Sequence, residues 1–156
     1  MTANNKIHEQ WMKAALKEAI SAFKNNEVPI GAVVIHEDRI IGKGYNQREL
    51  LNDPTAHAEI IALTSAANTL ESWRLDGCKI YVTKEPCPMC AGAIMNARME
   101  LVVFGAYDES AGCCGSLYQI CKDPRFNHQV NVRGGILKED CSNIIKEFFN
   151  IKRMKN

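Results

Sequence analysis

Apolar residues recur at helical spacing near the start of the chain, at Ile7, Trp11, Ala14, Ala15, Ala19 and Phe23. They predict a first amphipathic helix that ends near Asn25-Asn26. Two strand-like runs follow, Val28 to Ile35 and Ile40 to Tyr45, with His36-Glu37-Asp38-Arg39 between them as a hairpin turn. A polar loop runs from Asn46 to Thr55, and a second helix opens at His57 and continues to about Leu70. Lys79 to Thr83 reads as a short strand leading into Pro86-Cys87-Pro88-Met89-Cys90 and a helix whose Ala91, Gly92, Ala93 and Ala97 permit close packing. Leu101 to Phe104 is the next strand. From Gly105 to Asn127 the pattern fades, apart from a short helix near Leu117 to Cys121. Gln129 to Val132 is a weak final strand, and the last helix starts at Lys138. This order predicts a mixed sheet of five strands covered by helices, in one domain spanning residues 1–156.

Composition narrows the class without naming an activity. A hydrophobic content of 46% and a charged content of 24% are ordinary for a globular domain. No apolar run approaches the length of a membrane span, and the polar N-terminus lacks a signal-peptide core, so the expected location is the cytoplasm. The seven cysteines then read as reduced thiols or metal ligands, not as a disulfide framework. A net charge of +1 neither supports nor excludes a nucleic-acid partner. Lys146, Lys152, Arg153 and Lys155 surround Phe148-Phe149, which taken alone is an amphipathic last helix with a solvated face.

The chemistry concentrates in two short segments. His57-Ala58-Glu59 and, some thirty residues later, Cys87-x-x-Cys90 supply one imidazole, two thiolates and a carboxylate. A zinc site that activates water needs three protein ligands, an open fourth position and a separate proton carrier. Inside a helix, residues two apart point in nearly opposite directions, so His57 and Glu59 can share a site only at a helix start. Asp53-Pro54-Thr55 supplies the turn just before them, and Pro86 and Pro88 suit the start of the cysteine helix. Two helix N-termini thus converge on one metal. His-x-Glu followed by Pro-Cys-x-x-Cys is the signature of zinc nucleobase deaminases. Two rival readings are a structural zinc site, for which a second close Cys or His pair is missing, and a thioredoxin-like dithiol, which leaves His57 and Glu59 unexplained.

Longer runs carry a closer resemblance. Asp53 to Ile60, Tyr81-Val82-Thr83, Glu85 to Ala93, Val102 to Ala106, Trp73-Arg74-Leu75, Phe126-Asn127-His128, Gly135-Ile136-Leu137 and Phe148-Phe149 together resemble the bacterial tRNA-specific adenosine deaminases over nearly the whole chain. That resemblance implies a three-layer α/β/α cytidine deaminase-like fold and a homodimer. It also implies one Zn2+ per subunit, with the anticodon stem-loop of an arginine tRNA as substrate. The reaction it implies is hydrolysis of the wobble adenosine to inosine with release of ammonia. Glu59 would take a proton from water, deliver it to N1 of adenine, and then protonate the departing amino group.

On the family pattern Asn46 contacts the flipped base and the backbone N–H of Ala58 helps to hold it. Asp108, Asn127 and His128 line the path of the RNA strand. Read without the resemblance, Asn46 is a turn residue, Asp108 a solvated loop carboxylate and His128 a surface histidine. Other functions the motif admits are a free guanine or cytosine deaminase and a catalytically silent RNA-binding subunit. Glu59 argues against the silent subunit, which has no need of an unligated carboxylate beside zinc.

Two positions depart from the family pattern. Lys84 stands where an apolar residue is common, either as a plain surface change or as a positive charge near the RNA. Cys113-Cys114 is an unusual vicinal pair whose spacing with Cys121 fits no standard ligand set, so these cysteines, with Cys78 and Cys141, read as small hydrophobes.

Overall fold

The computed structural model describes residues 3–156. The elements run α1 (Ala3–Lys24), β1 (Gly31–His36), β2 (Arg39–Tyr45), α2 (Arg48–Leu51), α3 (Ala58–Leu70), β3 (Lys79–Lys84), α4 (Pro88–Asn96), β4 (Leu101–Ala106), β5 (Asn131–Arg133) and α5 (Lys138–Lys155). The sheet order is β2-β1-β3-β4-β5. β1 is antiparallel to both β2 and β3, whereas β3, β4 and β5 run parallel. The mixed five-stranded sheet read from the sequence is therefore present.

Alternation along the strands sorts the core into two layers. Ala32, Val34, Ile80, Val82, Val102 and Phe104 pack under α3 and α4. Val33, Ile35, Tyr81 and Val103 face the other way, against Met12 and Ala15 of α1 and Cys141 of α5. With helices on both faces the central strands are buried apart from their end residues, which is why their interiors read as apolar runs. Glycines set the tightest contact. A Cβ on Gly42 or Gly44 would lie 2.5 Å from Ala62 O or 2.4 Å from Ala58 O, so β2 lets the backbone of α3 settle directly on it.

Several boundaries differ from the sequence reading. The first strand begins at Gly31 instead of Val28, because Pro29 has no N–H to give and the Val28 carbonyl accepts from Asn46 Nδ2. The hairpin turns on Glu37 and Asp38, both in the left-handed region. Within the polar loop lies the four-residue α2, stabilised from outside: the buried Glu27 carboxylate accepts the N–H of Glu49 at 3.1 Å and of Leu50 at 2.7 Å. No helix forms over Leu117 to Cys121. Those residues make turns and a bridge between Cys114 and Gln119, since the N–H groups of Cys114 and Ser116 are drawn to Glu85 instead of to a helical carbonyl.

Candidate metal centre

His57 is the N-cap of α3 and Cys87 the N-cap of α4, both with extended backbone, and neither uses its side chain for capping. A cap residue stands outside the helical spiral, so its side chain can leave past the helix end. Glu59 and Cys90 occupy the first turns behind them, at the end of the sheet where β3 and β4 finish. Nδ1 of His57 is 3.6 Å from Cys87 Sγ and 3.5 Å from Cys90 Sγ. All three ligand atoms lie within 4.8 Å of one another. A tetrahedral ion with bonds of about 2.3 Å to sulfur and about 2.0 Å to nitrogen separates such atoms by roughly 3.5 Å. The donor set therefore fits zinc, with one corner left over.

The local electrostatics suit a cation. Hydrogen bonds from the Cys90 thiol and from His57 hold the Cys87 thiol down at about 4, although burial opposes this. The Cys87 sulfur in turn raises His57 and keeps the proton on Cys90. Glu59 is only 4% exposed, and burial pushes its carboxyl above the ordinary value of 4.5. It stays at the wall of a cavity of about 320 Å³ that His57, Cys87, Ala58 and Asn46 also line. The backbone N–H of Ala58, in the first turn of α3, has no helical acceptor and is free to meet a ligand.

Two buried carboxylates fix the loops around this cavity. Glu27 orders the α2 side, where Asn46 is locked by donating to Val28 O and accepting from Arg48 N–H, each at 3.2 Å. Glu85 orders the opposite side, accepting from the N–H groups of Asp108, Cys114 and Ser116 and from Ser116 Oγ. A Cβ on Gly112 would collide with that carboxylate at 2.4 Å. Asp108 lines the cavity, and its Oδ2 lies 3.2 Å from Lys84 Nζ. Phe149 completes the rim from α5, propped edge-to-face on Phe148, which packs the same way on Phe23.

The structure thus brings together His57, Ala58, Glu59, Cys87, Cys90, Asn46 and Asp108. It does not bring Asn127 and His128 to them. Asn127 is exposed, and His128 Nε2–H donates to Met99 O at 3.0 Å, at the opposite end of β4, about 17 Å away by the rise of a six-residue strand. Arg48 escaped the sequence reading, and Glu85 and Phe149 entered it only within longer runs and with no role, because nothing in their local sequence marks them as cavity residues. Cys113, Cys114 and Cys121 are buried, with Cys114 Sγ 3.9 Å from Cys121 Sγ, and among the described residues the metal-grade cluster is His57, Cys87 and Cys90.

One imidazole, two thiols and an adjacent unligated carboxylate, set at paired helix starts on an α/β/α sheet, define the zinc nucleobase deaminase class. Comparison with known proteins narrows the class. Residues 6–153 match the family model of MafB19-like deaminases. The tRNA-specific adenosine deaminase of Bacillus subtilis is 46% identical over 147 residues, covering 94% of this chain and 91% of that protein. A solved structure from work on A-to-I editing by tRNA:A34 deaminases at the wobble position superposes with a TM-score of 0.83 at 40% identity, covering 86% of this chain and 98% of that one. A guanine deaminase from Bacillus subtilis, also 40% identical, matches only 64% of each chain, with a TM-score of 0.61. The chain belongs to the family of tRNA-specific adenosine deaminases.

Proposed function

We propose that this chain hydrolyses adenosine to inosine at the wobble position of a tRNA anticodon, releasing ammonia. The observation that carries the reading is Glu59, buried at the wall of a cavity beside the His57–Cys87–Cys90 cluster. His57, Cys87 and Cys90 would hold one Zn2+, which when bound supplies the Lewis acidity that makes water a nucleophile at neutral pH. Glu59 moves the protons: one from water to N1 of adenine, which makes C6 electrophilic, and one to the amino group as it leaves. Asn46 and the Ala58 N–H orient the base, and Asp108 borders the strand that carries it. The cavity is at the small end of the range for ligand sites and suits one unstacked base. Phe149 offers an aromatic face for stacking at the rim. Asn127 and His128 are assigned outer contacts to the RNA, so His128→Ala should raise KM and leave kcat alone.

The rest of the reading follows from the same family. The whole chain, 1–156, acts as one catalytic domain in the cytoplasm, and no helix among the described residues is long and apolar enough to cross a membrane. It works as a homodimer. The apolar surface where α3 and α4 lie side by side, with Ile60, Ala67, Ala93 and a Trp73 that is 64% exposed, supports such a contact. The test is incubation with an arginine-tRNA anticodon stem-loop bearing adenosine at the wobble position, followed by inosine detection, with free guanine and cytosine as controls. Ammonia from a free base and none from the stem-loop would make the protein a base deaminase instead.

A further inference from the structure

Lys84 ends β3 at the rim of the cavity, in register with Ala106 of β4 and so beside the loop that carries Asp108. Its Nζ sits 3.2 Å from Asp108 Oδ2, and 31% of the lysine side chain stays exposed against 13% of the aspartate's. Asp108 has no freedom to turn toward a ligand, because its Oδ1 accepts from Ser110 N–H, Ser110 Oγ–H and Ala111 N–H. Glu85 beside it spends both oxygens on the loop backbone and Ser116. An ammonium has three donors, and the ion pair engages one side of it. On this wall Lys84 is the charged group with donors to spare.

A nucleotide entering base-first brings a phosphate on either side of the base. Without Lys84, that polyanion would meet the fixed carboxylate of Asp108 with no cation on the same wall, Arg48 lining the cavity from α2. We infer that Lys84 determines specificity by neutralising Asp108 at the mouth of the cavity and binding a phosphate that flanks the target adenosine, which favours an RNA strand over a free base. This rests on the tRNA-deaminase reading above.

The experiment compares wild type, Lys84→Met and Lys84→Arg on a wobble-adenosine stem-loop at salt concentrations from about 50 to about 200 mM. Zinc content and thermal midpoint are followed in parallel. Lys84→Met should lower kcat/KM roughly two- to fivefold at low salt, through KM, as expected for one partly exposed charge contact. It should also flatten the slope of log kcat/KM against log salt by about 0.7, the share of one phosphate on a single strand. Lys84→Arg should keep the wild-type slope. Stem-loops carrying one uncharged methylphosphonate next to the wobble nucleotide supply an arm without mutation. At one of the two linkages the change should weaken wild type and leave Lys84→Met unaffected. An unchanged salt slope in Lys84→Met, or a loss confined to kcat, would reduce Lys84 to a prop for Asp108 and overturn the inference alone. Wild-type protein that leaves the stem-loop unreacted while deaminating guanine would sink the functional reading and the inference together.

Discussion

At the residue scale the proposed chemistry rests on Glu59 and its three neighbours, and each can be tested separately. Glu59→Gln keeps the volume and removes the proton acceptor. Zinc content and thermal midpoint should match wild type, while inosine formation falls by about 10²- to 10⁴-fold. Alanine at His57, Cys87 or Cys90 should instead lose the metal, as metal analysis would show, and some stability with it. On the other face of the sheet, His8 is buried with its Nδ1 2.7 Å from Tyr81 Oη. Burial, with Arg133 and Lys79 nearby, holds its pKa below the ordinary 6.5. The unfolded chain therefore binds the proton more readily, so His8 contributes fully above pH 6.5 and progressively less as pH falls below it. Denaturation midpoints between about pH 7 and 5 should slope downward in wild type and flatten in His8→Phe. The His57–Cys87–Cys90 cluster was legible in the sequence because its members sit in two short motifs. The Lys84–Asp108 pair was not, because only the parallel register of β3 and β4 brings those residues together.

The elements that position the site are the two helix starts and the strands beneath them. α3 lies on β2 through Gly42 and Gly44, with no room for a methyl group at either. Gly44→Ala should therefore push the first turn of α3 outward, costing about 1–3 kcal/mol as overpacked cores do. His57 and Glu59 would move with it, so zinc affinity should fall in the same variant, measurable by chelator competition alongside denaturation. The long elements were legible because their periodicity is strong and their ends carry turn residues. α2 was not: it is four residues long, and the carboxylate that holds its N-terminus comes from Glu27, more than twenty positions earlier. The expected helix at Leu117 to Cys121 failed for the converse reason, since Glu85 claims the backbone donors around Cys114 and Ser116.

For the whole molecule, the apolar face of α3 and α4 predicts self-association. Trp73→Asp should shift the protein toward monomer in sedimentation at micromolar concentration, and an unchanged mass would move the interface elsewhere. Family membership and the deaminase class came within reach of the sequence because His57 and Glu59, and Cys87 and Cys90, are each close neighbours at a helix start, where local geometry alone constrains them. Whole-chain packing decided what borders the cavity. It lined the cavity with Arg48, Glu85 and Phe149, fixed Asp108 beside Lys84, and left Asn127 and His128 at the far end of the sheet. The pattern of apolar positions fixes which face of an element is buried. Which distant side chains meet across the layers depends on strand order and register, and no local run of residues encodes that.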